Sequence, residues 1–116
     1  MRIINKTKNT LLAKDAVVAS KLFKRTKGLL DRSNFRLGEA LIIKPCKSIH
    51  TWFMLFPIDV LFVDENNRVV KAIPDIKPFR ITPIYWKAEY VIELPIGMIQ
   101  KTETCESDLL TLEQTD

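Results

Sequence analysis

From about residue 40 onward the chain is cut into short apolar runs, none of them long enough for a substantial helix. Ala40–Lys44, Ser48–Met54, Ile58–Val63, Val69–Ile73, Ala88–Leu94 and Leu109–Leu112 follow one another with Pro, Asn and Asp between them. Strands in globular proteins run about 3–10 residues, whereas helices average about 11, so this texture leaves an antiparallel β-sandwich or a half-closed barrel as the fold. Asn66-Asn67 joins two of the runs, and asparagine tolerates the positive φ of tight turns, which makes Ile58–Val63 and Val69–Ile73 a hairpin. Arg2–Lys6 and Thr10–Lys14 read as a second hairpin, turning through Thr7-Lys8-Asn9. Pro74, Pro78 and Pro83 withhold backbone donors, so residues 74–83 form a long connection or a sheet edge. Gly97–Lys101 reads as a short helical turn.

One segment has a different period. After Asp15, a residue suited to capping a helix, Val18, Ala19, Leu22 and Phe23 fall on one helical face. Lys21, Lys24, Arg25 and Lys27 lie largely off that face, and Gly28 can end the helix in the left-handed conformation. The expectation is one α-helix near residues 16–27.

Strand phase sorts residues by face. In Ala88–Leu94, Tyr90, Ile92 and Leu94 alternate with Glu89 and Glu93, which reads as one buried and one wet face. Ile58–Val63 is apolar on both faces, as a central strand covered on both sides would be. Asp59 shares the face of Leu61 and Val63, so a carboxylate points where apolar groups are expected.

The 116 residues fit one domain, 1–116, that buries roughly 65% of its unfolded surface. With 47% hydrophobic and 28% charged residues the chain is ordinary globular material. The net charge of +4 is spread along the chain without a run of five like charges, which favours solubility over a nucleic-acid partner. No stretch reaches the ~20 apolar residues that cross a bilayer, and the N-terminus lacks the apolar core of a secretion signal. A cytoplasmic location without a membrane partner is therefore expected. In that compartment Cys46 and Cys105 are thiols.

Three blocks carry a family resemblance. They are Arg25-Thr-Lys-Gly28-Leu29-Leu30, then Ser48-Ile-His-Thr-Trp-Phe-Met54 with Phe56-Pro-Ile-Asp59-Val-Leu-Phe62-Val-Asp64, then Val91-Ile-Glu93-Leu-Pro95-Ile-Gly97. In this order they resemble the signature of the DUF192 family, whose His-Thr-x-x-Met…Pro-Ile-Asp-Val pattern is specific. The resemblance implies a compact, jelly-roll-like β-sandwich found mainly in bacteria and archaea, and it brings no established reaction, cofactor or partner. Where the family tends to have Gly-Asp near its end, this chain has Ser107-Asp108, which speaks against a glycine-type turn there.

The candidate chemistry centres on His50, the sole histidine. On a straight strand His50 shares a face with Ser48, Trp52 and Met54, while Ile49, Thr51 and Phe53 line the other. An imidazole beside an indole and a thioether reads as a pocket wall, and Asp59 is the carboxylate that would orient it, giving His50 and Asp59 as candidate general-base machinery. The plainer reading is a buried polar pair that fixes strand register. Cys46, four residues before His50, sits about 13 Å away along a straight strand, too far for a Cys-His pair. Cys46, His50 and Cys105 lack the close spacing of a structural zinc site, and no metal or cofactor is expected.

Trp52, Phe53, Phe56, Phe79, Tyr85 and Trp86 lie among Lys77, Arg80 and Lys87. Such interleaving can bind single-stranded nucleic acid, though core-filling rings are the plainer account. Arg80 would otherwise pair with Asp59 or Asp64. Phosphate-cradling glycine loops, nucleophile elbows and His-x-x-x-His pairs are absent, which excludes kinase, nucleotide-hydrolase and dinucleotide-binding readings. The favoured reading is a non-enzymatic module binding a small molecule or peptide through His50, Trp52, Met54, Asp59, Arg80 and Trp86. Its rivals are a hydrolase or isomerase using His50 with Asp59, and a nucleic-acid contact through residues 77–87.

Overall fold

A computed structural model describes residues 1–19, 35–52 and 54–115. Within them the chain runs β1 (Arg2–Asn5), β2 (Thr10–Ala13), β3 (Asp15–Ala19), β4 (Glu39–Ile43), β5 (Ile58–Asp64), β6 (Val69–Ile76), β7 (Ala88–Pro95), a short helix α1 (Met98–Thr102) and β8 (Leu110–Glu113). The strands form two sheets, β2-β1-β8 and β3-β4-β7-β5-β6. The protein is mainly β and sandwich-like, as the short apolar runs require. Among the described residues all pairings are antiparallel except β3 with β4.

Two apolar clusters lie on opposite faces of the five-stranded sheet, and strand alternation divides its residues between them. Ile42, Leu61, Val63, Ile92 and Leu94 point toward the small sheet, where Ile3, Leu12 and Leu110 meet them. Leu41, Ile43, Ile58, Val60, Phe62 and Val91 point the other way, under Cys46, Ile49 and Met54. This double cover is why β5 has no polar face.

It also corrects the wet face expected of β7. Glu93 is fully buried, because β7 lies between β4 and β5 with both of its faces covered.

The helix expected near residues 16–27 does not start where its period placed it. Asp15–Ala19 is a strand, in parallel register with β4 from Asp15 opposite Glu39 to Ala19 opposite Ile43. The N–H of Asp15 and that of Lys14 both donate to the Gly38 carbonyl, so Asp15 begins a ladder rather than capping a helix. Adjacent β-branched Val17 and Val18 suit a strand, and the neighbouring strand's backbone outweighs a weak 3.6-residue period. The remainder of that expected helix, from residue 20 on, lies outside the described residues.

The β5–β6 hairpin closes as expected, with Asn67 at φ 63° and the Asp64 carboxylate accepting from the N–H groups of Asn66 and Arg68. Strand β6 continues through Pro74, which an edge strand tolerates. The turn before β8 is also kept without glycine. Ser107 takes φ 75° there, a conformation that costs a residue with a Cβ about 1–2 kcal/mol.

Candidate functional site

Residues 46–52 do not form a regular strand but run against residues 79–85 as an irregular ribbon over the second apolar cluster. The Tyr85 N–H donates to the Lys47 carbonyl (2.8 Å), that of Thr82 to Ile49 (2.9 Å) and that of Thr51 to Arg80 (2.8 Å), while His50 forms a single antiparallel bridge with Ile81. Two threonines anchor it. The Thr82 hydroxyl accepts from the Ile49 N–H at 3.0 Å. The Thr51 hydroxyl donates to the Lys77 carbonyl (2.7 Å) and accepts from the Arg80 N–H (2.9 Å), and its carbonyl accepts from Phe79 N–H (3.0 Å). Buried Thr51 thus holds the 77–80 turn at both ends, including Phe79 at φ 63°.

Against this turn lies an open groove of about 290 Å³, lined by the end of β6 and by residues 80–83. Pro74, Ile76 and Ile81 give it apolar walls, and its charged lining is Asp75, Lys77 and Arg80. Lys77 is ion-paired with Asp75. The exposed Arg80 makes no ion pair among the described residues, neither with Asp59 nor with Asp64.

Asp59 serves the groove from behind. It is fully buried, facing the first cluster as strand parity requires, and one oxygen accepts from the Asp75 N–H (2.9 Å) while the other accepts from the Ile99 N–H at the start of α1 (2.9 Å). Asp75 takes φ 52°, so the Asp59 carboxylate pins a turned residue of the groove wall. Its oxygens are committed to backbone donors rather than to the imidazole.

The residues expected to share one sheltered face separate. His50 is half-buried with Nδ1 shielded from solvent, Trp52 is half-exposed, and Met54 is buried in the second cluster. Parity assumed a straight strand to Met54, but the chain turns at Trp52 and sends the thioether inward. The Trp52 ring packs edge-on against Phe79, with centroids 6.0 Å apart. Trp86 projects into solvent at the far end of the ribbon, its carbonyl accepting from the Lys47 ammonium at 3.0 Å. Cys46 is buried, its thiol donating to the Ser48 carbonyl at 3.1 Å, and no disulfide links it to the exposed Cys105.

Sequence reasoning missed Thr51, because parity set it on the face away from the expected pocket. It also missed a polar cluster at the far end of the small sheet. There Asp108 accepts from Asn5 Nδ2 (2.9 Å), the Cys105 N–H (3.0 Å) and the Lys8 ammonium (3.0 Å). Burial alone would raise the Asp108 pKa, but these donors outweigh it and bring it from 3.8 down to about 2. Lys8 is raised above 10.5, first by its hydrogen bond to Cys105 and then by Asp108. No sequence pattern joins residues a hundred positions apart; only the β1–β8 pairing does.

The architecture defines a class: a small two-sheet β-sandwich that carries a loop-built ribbon and groove on the outer face of its larger sheet. Within that class the chain belongs to the DUF192 family (Uncharacterized ACR), whose model matches residues 3–112. It is 37% identical to a UPF0127 protein of Thermococcus gammatolerans over 98% of this chain and 76% of that one. A UPF0127 protein of Thermococcus kodakarensis is 34% identical over 98% of this chain and 74% of its own. Among solved structures, a protein of unknown function from Novosphingobium aromaticivorans shares the fold with a TM-score of 0.80 at 18% identity, covering 97% of this chain and 84% of that chain. A putative transcription regulator from Sinorhizobium meliloti gives a TM-score of 0.77 at 17% identity over 95% and 89%. No specific function is established across these relatives. Among the described residues no helix is long and apolar enough to cross a membrane.

Proposed function

We propose that the domain is a non-enzymatic binding module whose groove takes a small anionic molecule or the carboxylate-bearing end of a peptide. The observation that carries this reading is Arg80, a guanidinium without an ion pair among the described residues, at an apolar groove of about 290 Å³. That volume of about 290 Å³ falls just below the roughly 300–1,000 Å³ typical of small-ligand pockets, which limits the occupant to a small group. Guanidinium is suited to bidentate capture of carboxylate or phosphate, and the Thr51 and Asp59 anchors pre-form the walls, which lowers the ordering cost of binding.

The reading in which Asp59 orients His50 as a general base draws no support from the geometry, because both Asp59 oxygens already serve backbone amides. The binding reading is tested by thermal-shift screening against carboxylates, phosphates and short peptides. A true ligand at a hundred times its Kd stabilises the fold by about 2.7 kcal/mol. Arg80→Ala is expected to abolish that shift while leaving the unliganded midpoint unchanged. Silence across a broad anionic library refutes the proposal.

A further inference from the structure

We infer that the outer surface of the ribbon docks on an anionic lipid bilayer. This surface adjoins the groove but the inference does not depend on what the groove holds. Ile81 is 71% exposed and Trp86 74%, and Trp52, Leu55, Phe79 and Ile84 on the same two segments are exposed as well. Single exposed apolar residues need no explanation, but six on two mutually paired segments mark an interaction surface.

The two segments themselves carry charge of one sign, with Lys77 paired to Asp75 of the adjoining strand. Segments 44–57 and 77–88 hold Lys44, Lys47, Lys77, Arg80 and Lys87 and not one Asp or Glu, although the chain has 14 acids. Outside these segments the remaining 13 Lys and Arg face all 14 acids. Read along the chain the cations look evenly spread. The ribbon sets two acid-free segments side by side and so gathers five of the 18 cations of the chain on one structural unit.

Aromatic and branched apolar side chains among lysines match the interfacial zone of a bilayer with acidic headgroups: the rings and aliphatics enter the headgroup–acyl boundary while the cations meet the phosphates. Single-stranded nucleic acid fits less well. It needs ring faces open for stacking, whereas Trp52 and Phe79 pack edge to face, and exposed Ile81, Ile84 and Leu55 have nothing to stack with. Pro78 and Pro83 stiffen the connection, so less freedom is lost on docking. The expectation of no membrane partner came from the lack of a crossing segment, a test that a surface-docking ribbon does not meet.

The test is co-sedimentation of the whole protein with vesicles of equal parts phosphatidylcholine and phosphatidylglycerol, beside vesicles of phosphatidylcholine alone. Binding is expected to the acidic vesicles only, and to be released in 1 M salt, where charges are screened within about 3 Å. Trp86→Ser, Ile81→Ser and Lys87→Glu are each expected to lower the bound fraction severalfold with the thermal midpoint unchanged, and the triple variant to abolish it. Equal binding to neutral vesicles, no binding to either, or wild-type binding by the folded triple variant overturns the inference. If excess single-stranded oligothymidine strips the protein from vesicles, the surface belongs to nucleic acid instead. A dimer that Ile81→Ser dissociates, with vesicles left unbound, assigns it to a second copy.

Discussion

At the scale of single residues, Asp59 was legible and His50 was not. Alternation placed the carboxylate among apolar groups, and the structure keeps it there on two backbone donors. Asp59→Ala leaves those N–H groups without their acceptor, one of them fully buried, and each such loss costs about 1–3 kcal/mol. Chemical denaturation should show a loss of about 3 kcal/mol, with Asp59→Asn intermediate because its amide nitrogen would face a donor. His50 was assigned by the same alternation, but to a stretch that forms one ladder bridge and then turns. Parity has force only where a ladder holds the strand straight. Ser107 is the converse: a non-glycine residue led away from a left-handed turn that tertiary contacts impose anyway, through the Ser107 N–H donating to Val69. Ser107→Gly relieves that conformation and should raise the thermal midpoint, with a gain of up to about 1 kcal/mol after the entropy glycine adds to the unfolded chain.

Asp108 supplies the pH dependence of this end of the molecule. Its folded pKa of about 2 lies below the unfolded 3.8, so the unfolded chain takes up the proton first as pH falls. The stabilisation is therefore complete above pH 3.8 and is lost between there and about pH 2. Asp108→Asn should flatten the denaturation midpoint across that window relative to wild type. An unchanged slope would mean that other carboxylates carry the acid response.

At the scale of elements, the strands that read correctly are those whose own sequence decides their burial. β5 and its hairpin partner β6 were visible from apolar runs and a paired-asparagine turn. β3 was not, because its structure is set by a neighbour that follows about twenty residues later: the ladder to β4 holds residues whose local period is helical. Glu93 failed for a related reason, since alternation reports polarity along one strand and cannot show that both faces will be covered. The same cover makes a prediction about local stability. Amides of β5 and β7, central and sealed on both faces, should exchange hydrogen only on global unfolding, whereas those of edge strand β3 should exchange through local opening. Comparable protection across β3 and β7 in native-state exchange would show that the sheet opens as one unit.

At the scale of the whole molecule, the chain's beginning and end close the sandwich. β8 pairs with β1 from Arg2 opposite Glu113 to Asn5 opposite Leu110, and Leu110, 1% exposed, fills the space between the sheets beside Ile3. Removing residues 110–116 leaves β1 and β2 as a two-stranded hairpin held only by its packing on the large sheet, since two strands by themselves are marginal in water. The loss sums from burial of Leu110, about 1.5–3 kcal/mol, and the β1–β8 ladder at about 0.5–1.5 kcal/mol per net hydrogen bond. Both fall on a domain whose entire stability is about 5–15 kcal/mol. The truncated chain is expected to lose its cooperative thermal transition at 25 °C and above, read by near-ultraviolet circular dichroism, while Leu110→Ala alone lowers the midpoint but keeps the transition. A truncated chain that still melts cooperatively would show that the five-stranded sheet folds on its own second core, the one beneath the ribbon, and that the small sheet is an added cover rather than half of the fold.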